Sequence, residues 1–481
     1  MDRSVVVSWR QTDTITRKLK KEMAMVRMQL LRSFAVGTVV LAVSLISVAT
    51  VSAATASYDY FRSSVVGGVD IDANGVLQTA PKKTMDEVSR TLGKLLEPLP
   101  VDLNQESSIR KISLKKLDEQ MRQIIARQDE FPDTVRFLGG LTAIRYVVVV
   151  PEENDVLLVG PAEGWKVDAQ GYVVGQKSGN PVLHLEDLLT VYRAWNNQQR
   201  PAPITCSIDP TPEALANIVS LGTLPPPTAR DVDAYAANVE KAYGMNVVSI
   251  KGVPEKSRFG KILVAADYKM KRIGLDQEPS MVRGLPSYVS MLSGRPKQIN
   301  PRFWLAPEYT TVSYDSKKLT WELGAVKVKA LTEDEYFDAR SGSRQTTGNL
   351  DKTAIAWCDK MTAQYHALSK VDPVFAELKN CMELAITVAL IHREGLLTAA
   401  NCKLPAFADE AILKMVNYPT PQFVPSKATI ARNGRSFVVA CGGVEINPFG
   451  AVEKATLDNA IDKQRDKLVD VASDNWWANG K

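Results

Sequence analysis

Few residues of this chain have the type and spacing to do chemistry, and most of those that do are carboxylates. Glu152 and Asp155 belong to the acidic run Glu152-Glu153-Asn154-Asp155, Asp209 precedes Pro210, and Asp267 stands just before the basic run Tyr268-Lys269-Met270-Lys271-Arg272. Two of these four acids, carried in from separate loops to about 5 to 9.5 Å, would suit glycoside hydrolysis. The plainer reading of such acids is a solvated turn. His184 lies close before Glu186 and Asp187. That grouping is either a histidine–carboxylate pair for proton transfer or two acids placed where a helix N-terminus favours them. The other two histidines, His366 and His392, fall near opposite ends of an expected helical hairpin and cannot share a metal. No H-E-x-x-H, G-x-S-x-G or P-loop pattern is present.

Asp70-x-Asp72-x-Asn74-Gly75 opens like a calcium loop, with oxygen ligands at alternate residues and a glycine at the turn. Its twelfth position is Pro81, where a bidentate glutamate is needed, and its flanks read as strands. A polar hairpin turn explains the same residues. Calcium on Asp70, Asp72 and Asn74 is the one cofactor candidate; otherwise none is expected. A weak echo of this stretch, Gly442-Gly443-Val444-Glu445-Ile446-Asn447, reads as a repeated hairpin.

The five cysteines include no C-x-x-C pair. Thr353–Leu368 carries a helical stripe through Cys358, Met361, Tyr365 and Leu368. Asp372-Pro373 reads as the cap and first residue of a second helix, with Val374, Leu378, Cys381, Ala385 and Val388 on one face. Folded back on each other, these helices place Cys358 opposite Cys381. The two either bridge in an oxidising compartment or fill the seam as small buried hydrophobes. Cys402 with Cys441 is a second pair with no spacing argument behind it. Cys206 has no basic neighbour to activate it and reads as structural.

The elements that must position these residues are mixed. Thr84-Met85-Asp86-Glu87 reads as a capping box opening a helix to about Leu96. Ser113 starts another, with Leu114, Leu117, Met121, Ile124 and Ile125 on one face. Hairpins are expected over 142–159 and 165–174. Helices are expected over 186–195, from 211 to about 221, and over 228–243. Strands are expected over 245–251, 261–268, 303–313 and 319–331. The polar stretch 340–348 reads as a linker. Beyond the helical hairpin come strands within 428–446 and a polar helix near 454–472, which Trp476-Trp477 would pin to the body. Helices and strands alternate without a strict βαβ rhythm. The expected class is α+β, with mixed sheets of short hairpins, packed helices and a C-terminal helical-hairpin region.

With 481 residues and 52.9 kDa, the chain is long enough for two or three domains. The expected division is 57–200, 201–340 and 349–481, behind a leader at 1–56. The leader holds eight Lys/Arg against three acids, which is the whole net charge of +5. The remaining residues balance, so the body has no charge excess with which to bind nucleic acid. From Ser33 to Tyr58 there is no charged residue, and Phe34–Val51 is nearly all apolar. A basic flank, an apolar stretch and the small residues of Val51-Ser52-Ala53-Ala54-Thr55-Ala56 make a signal peptide, or, uncleaved, a membrane anchor. Membrane contact is expected only through residues 34–51. Either reading exports the body.

One resemblance adds to this. Leu138-Gly139-Gly140-Leu141 through Tyr146, Pro151–Asp155, Gly160-Pro161-Ala162-Glu163-Gly164-Trp165, Cys206–Glu213 and Ala265–Arg272 together resemble an exported protein family of unknown function found in planctomycete-type bacteria. The resemblance covers most of residues 60–450. It implies export and brings no catalytic residue with it. The sequence thus points to an exported protein of the periplasm or cell envelope in a non-catalytic binding or structural role, its partner an envelope protein or polymer. The alternative is a carboxylate-dependent hydrolase of an envelope polymer, using Glu152, Asp155, Asp209 and Asp267.

Overall fold

The computed structural model describes residues 68–72, 75–196, 202–221, 232–293, 298–299, 301–308, 311–338, 343–346, 351–430, 437–438, 441–469 and 475–480. Contacts divide the chain into residues 1–61 and 62–481. The leader and Asn74 of the candidate calcium loop lie outside the described residues. Among the described residues no helix is long and apolar enough to cross a membrane.

The described chain opens with an antiparallel hairpin, β1 (Val69–Ile71) and β2 (Leu77–Thr79), followed by helix α1 (Lys82–Leu95). Pro81, not Thr84, is the residue before that helix, and no side chain caps it. The expected capping box is therefore corrected: the helix starts three residues earlier, after Pro81. β3 (Ser107–Ser113) runs into α2 (Leu114–Arg127), whose first free N–H groups are met by Ser113 Oγ, accepting from Lys116 N at 3.0 Å. The hairpin of β4 (Tyr146–Val150) and β5 (Asp155–Ala162) follows, then a small one of β6 (Trp165–Val167) and β7 (Val173–Gly175). β4 and β5 are apolar at nearly every position because both faces are covered, one by the main core and one by a cluster around Leu468.

The middle of the chain gives α3 (Leu185–Asn196), β8 (Ile204–Pro210), α4 (Pro212–Leu221), α5 (Val232–Tyr243), β9 (Met245–Lys251) and α6 (Arg258–Gly274). Next come β10 (Gln298–Ile299), β11 (Pro301–Glu308), β12 (Val312–Tyr314), β13 (Thr320–Leu323), β14 (Lys327–Asp338) and β15 (Ser343–Thr346). The helical hairpin is α7 (Lys352–Val371) and α8 (Pro373–Arg393), capped at its junction by Asp372, as the Asp-Pro step predicts. The C-terminal part holds β16 (Phe423–Pro425), β17 (Thr429–Ile430), β18 (Phe437–Val438), β19 (Cys441–Ile446), β20 (Thr456–Leu457) and β21 (Trp477–Asn479).

Among the described residues the longer strands form two seven-stranded sheets. One runs β20-β12-β13-β4-β5-β3-β21, the other β15-β14-β11-β19-β8-β9-β16. In the second, β19 lies between β11, to which it is parallel, and β8, to which it is antiparallel. Helix α6 packs on β8 and β19, and α8 packs on α6 and α3. The α+β expectation holds.

Four local expectations are corrected. Residues 261–268 are helix, not strand. Ser257 Oγ caps the helix by accepting from Gly260 N at 3.0 Å, and Ile262–Ala266 are buried on every side, which erases the helical period. Gly442–Ile446 is a central strand, not a second hairpin, because partners on both sides continue its pairing. Within 454–472 the described residues form β20, a single 3-10 turn and a five-residue helix. Trp476-Trp477 leads into β21 on β3 and pins a strand, not a helix. The Cys358–Cys381 bridge is also corrected: both cysteines are free and buried in the helical seam, together with free Cys206 and Cys402. The seam packs them as small apolar side chains.

Candidate functional site

A cleft of about 540 Å³ opens along the outer edge of the second sheet. Its floor is Val247, Val248 and Ile250 of β9, and its wall is the segment Asn417–Phe423 with Glu255 and Lys256. β16 pairs with β9 only from Met245 to Val247, and Val248 N then donates to Gln422 O at 3.0 Å. Beyond that point the segment leaves β9 for the turn that follows it. Tyr418 N donates to Lys256 O at 2.9 Å, and Thr420 Oγ1 to Glu255 O at 3.0 Å. The divergence is forced by sequence: Pro419 and Pro421 have no N–H with which to continue a ladder. What remains is a strand edge facing a mixed apolar and polar gap, with Met245 and Val247 exposed beside it.

One side chain joins this cleft to the interior. Tyr418 lines the cleft, and its hydroxyl donates to Glu186 Oε1 at 2.7 Å. Behind Glu186 lies a buried ionic cluster assembled from three helix starts. His184 and the first turn of α3 bring the imidazole, Glu186 and Asp187. The cap at Ser257 places Arg258 in the first turn of α6, and Glu377 comes from the second turn of α8. Arg258 Nη1 donates to Asp187 Oδ2, Nη2 donates to Glu377 Oε1 at 2.5 Å, and Nε lies 3.9 Å from Glu186 Oε1. His184 sits between two acids, with Nδ1 4.0 Å from Glu186 Oε1 and Nε2 3.9 Å from Glu377 Oε1. Phe137 meets the imidazole edge-on at 5.2 Å.

Burial pushes the Asp187 carboxyl up to about 7, with Arg258 opposing and Glu186 and Glu377 adding to the rise. Burial raises Glu377 as well, again against Arg258. For Arg258 burial disfavours the charge, but Asp187, Glu377 and Glu186 together outweigh it and hold the guanidinium well above its ordinary pKa. Asp187 Oδ1 and Glu377 Oε2 are buried without a hydrogen-bond partner among the described residues.

The acids singled out from sequence are divided. Asp155 is buried at the start of β5, accepting from Ser113 Oγ at 2.5 Å and from Lys115 N at 3.0 Å, so it fixes the β3–α2 corner. Glu152 is exposed in the turn before it. Asp209 and Asp267 belong to the other sheet and its helix, close enough for Asp209 to help raise Asp267. Burial is the main cause, and it pushes Asp267 up to about 6 against the opposing pull of Lys271. Lys271 Nζ lies 2.9 Å from Asp267 Oδ2 and also donates to Ile208 O and Gly442 O, tying α6 to β8 and β19. Only Asp209 and Asp267 of the four come together. Asp70 and Asp72 sit in the β1–β2 hairpin, where Asp72 Oδ1 accepts from Val76 N at 2.9 Å and Asp70 Oδ2 from Gln78 Nε2 at 3.2 Å. Both are spent on turn geometry. No group of three or more metal-ligating side chains gathers among the described residues.

Cleft, Arg258 and the Lys271 tie all touch one stretch of chain. Residues 206–288 match the model of a family described as "Protein of unknown function (DUF1598)". The matched segment carries β9, Arg258, Asp267 and Lys271, and its partners Asp187, Glu377 and the 417–423 wall come from outside it. No curated protein and no solved structure matches the chain.

Sequence reasoning found His184, Glu186 and Asp187 but missed Arg258 and Glu377. The signal for Glu377 was present: Glu377 and Glu383 are the two acids of α8, and both stand among the apolar residues that the helix buries. A buried carboxylate requires a partner, here Arg258 for Glu377, and Ile144 N with Arg145 for Glu383.

Proposed function

We propose that this is an exported, non-catalytic binding protein of the cell envelope, whose partner is an extended polypeptide held in the cleft beside β9. The carrying observation is the short stretch of β9 past Val248, where the two prolines end its pairing with the 417–423 segment beside a cleft of about 540 Å³. An extended chain gains main-chain hydrogen bonds at such an edge, and the adjoining apolar floor and polar wall give it side-chain contacts. Export rests on the basic and apolar leader with its small-residue end. The hydrolase reading needs two carboxylates open to substrate and water. Asp155 and Asp267 are instead buried and engaged by neighbouring donors.

The test is photo-crosslinking in the native envelope from a probe placed at Gln422, compared with one at exposed Val371. One discrete polypeptide adduct from position 422, absent from position 371, supports the reading. Equal labelling from both sites, or cleavage of envelope polymer by the purified chain, overturns it. Cell fractionation and the mass of the mature chain check export.

A further inference from the structure

We infer that a pocket between the last turns of α3 and α8 binds one small, neutral ring compound carrying a hydroxyl, of the phenol class. The site goes beyond the binding reading, because it shares no lining residue with the cleft beside β9.

The pocket holds about 160 Å³. Tyr192, Trp195 and Asn196 reach it from the end of α3, and Val388, Ile391 and His392 from the end of α8. Gly395 follows α8, and its left-handed φ of +63° turns the chain into a short helix, Leu396–Ala399. That turn brings Leu397 and Thr398 to the same space. Phe449 braces two of the rings, with centroids 5.1 Å from Trp195 and 6.5 Å from His392.

Size and walls set the shape of the ligand. A cavity of about 150 Å³ with aliphatic and aromatic walls is large enough for a single benzene ring. Here the walls are the aliphatic Val388, Ile391 and Leu397 and the rings of Tyr192, Trp195 and His392. Flat rings meet such aromatic walls edge-on or offset.

Polar groups set its chemistry. The Tyr192 hydroxyl, the Asn196 amide, the His392 imidazole and the Thr398 hydroxyl make no side-chain hydrogen bond among the described residues. Burial pushes the Tyr192 phenol up to about 12, so it enters as a neutral hydroxyl. Trp195 is fully buried, and its indole N–H also has no partner among the described residues. A buried N–H without an acceptor costs free energy, which a ligand oxygen set against the indole would relieve. Apolar walls with a few convergent polar groups are the ordinary form of a small-molecule site.

Charge narrows the class further. Among the described residues no Asp, Glu, Lys or Arg lines the pocket. The charged neighbours are committed elsewhere: Arg193 to Phe407 O and Leu413 O, each at 2.8 Å, Arg393 to Glu453 at 2.8 Å, and Glu394 to Lys318 at 3.3 Å. Two helices end at this place, and the partial negative charge of their C-termini disfavours a carboxylate and favours a hydroxyl proton.

The test is a saturation-transfer NMR titration of the purified full chain at pH 7.5 with phenol, toluene and benzoate. Phenol should saturate with a dissociation constant on the order of 0.1 to 1 mM. Toluene has the same shape without the hydroxyl, and it and benzoate should each bind at least about tenfold more weakly. Tyr192→Phe should weaken phenol about fivefold and leave toluene unchanged. Thr398→Trp changes an exposed position at the mouth, and it should remove phenol binding without changing the melting temperature. Trp195→Phe should also weaken phenol, and if that core variant fails to fold, the two peripheral variants still decide. The site is overturned if phenol does not saturate, or if toluene or benzoate binds as tightly. Phenol binding untouched by both Tyr192→Phe and Thr398→Trp overturns it too.

Discussion

Arg258 Nη2 lies 2.5 Å from Glu377 Oε1, and the same guanidinium donates to Asp187, so one side chain ties α6 to both α8 and α3. Removing it would strand two buried carboxylates. Arg258→Met should cost about 3 to 5 kcal/mol in urea unfolding followed by tryptophan fluorescence. Adding Asp187→Asn and Glu377→Gln to Arg258→Met should recover most of that loss, because the cost lies in the uncompensated charges. A triple variant no more stable than Arg258→Met would show that shape, not charge, sets the penalty.

Lys261 gives the fold a stability that rises with pH. It is 2% exposed on α6, and burial lowers its pKa to about 8 despite Asp70 nearby. The unfolded lysine titrates near 10.4, so the unfolded chain binds the proton more readily between about 8 and 10. The lysine's cost to folding is therefore full below pH 8 and fades as the pH rises through that window. Lys261→Met should be more stable than the natural chain at pH 7, on the order of 2 kcal/mol. That advantage should shrink by pH 10. Melting curves of both chains at the two pH values check this, and a constant difference would refute it.

The thiols should be inert in the folded chain. Burial pushes Cys358 and Cys402 up to about 12 and lifts Cys206 and Cys381 well above the ordinary thiol. Iodoacetamide at pH 8 should leave peptides containing these four unlabelled in the native protein. After unfolding without reductant, all four should label. Resistance of Cys358 and Cys381 to labelling after unfolding would restore the bridge between them.

The parts of the fold that were legible are those whose signals are local. Asp372-Pro373 announces the turn of the helical hairpin, Ser113 announces α2, and the valine runs of β4 and β5 announce strands. Helix α6 was not legible because Ile262-Leu263-Val264-Ala265-Ala266 is covered on every side, and a fully buried helix shows no period. The ionic cluster was half legible. His184, Glu186 and Asp187 are neighbours in sequence, whereas Arg258 is 71 residues from Asp187 and 119 from Glu377. Nothing local announces such a meeting, although an acid in the middle of an apolar helix does announce that some cation is waiting for it.

Two glycines with positive φ should behave very differently when given a side chain. Gly179 has φ +65°, with nothing within 4 Å of an added Cβ, so Gly179→Ala should cost only the left-handed backbone, about 1 to 2 kcal/mol. Gly442 has φ +134° in the centre of a sheet, and a Cβ there would stand 1.7 Å from Phe303 O on the parallel neighbour β11. Its own carbonyl accepts from Lys271 Nζ at 3.2 Å. Making room would therefore part β19 from β11 and pull the carbonyl away from the buried lysine, leaving Lys271 with fewer acceptors. Gly442→Ala should yield little folded protein, while Gly179→Ala folds with a slightly lower melting temperature. Soluble yield and melting curves of the two variants side by side decide the point, and a folded Gly442→Ala of near-natural stability would show that β19 does not lie against β11 as described.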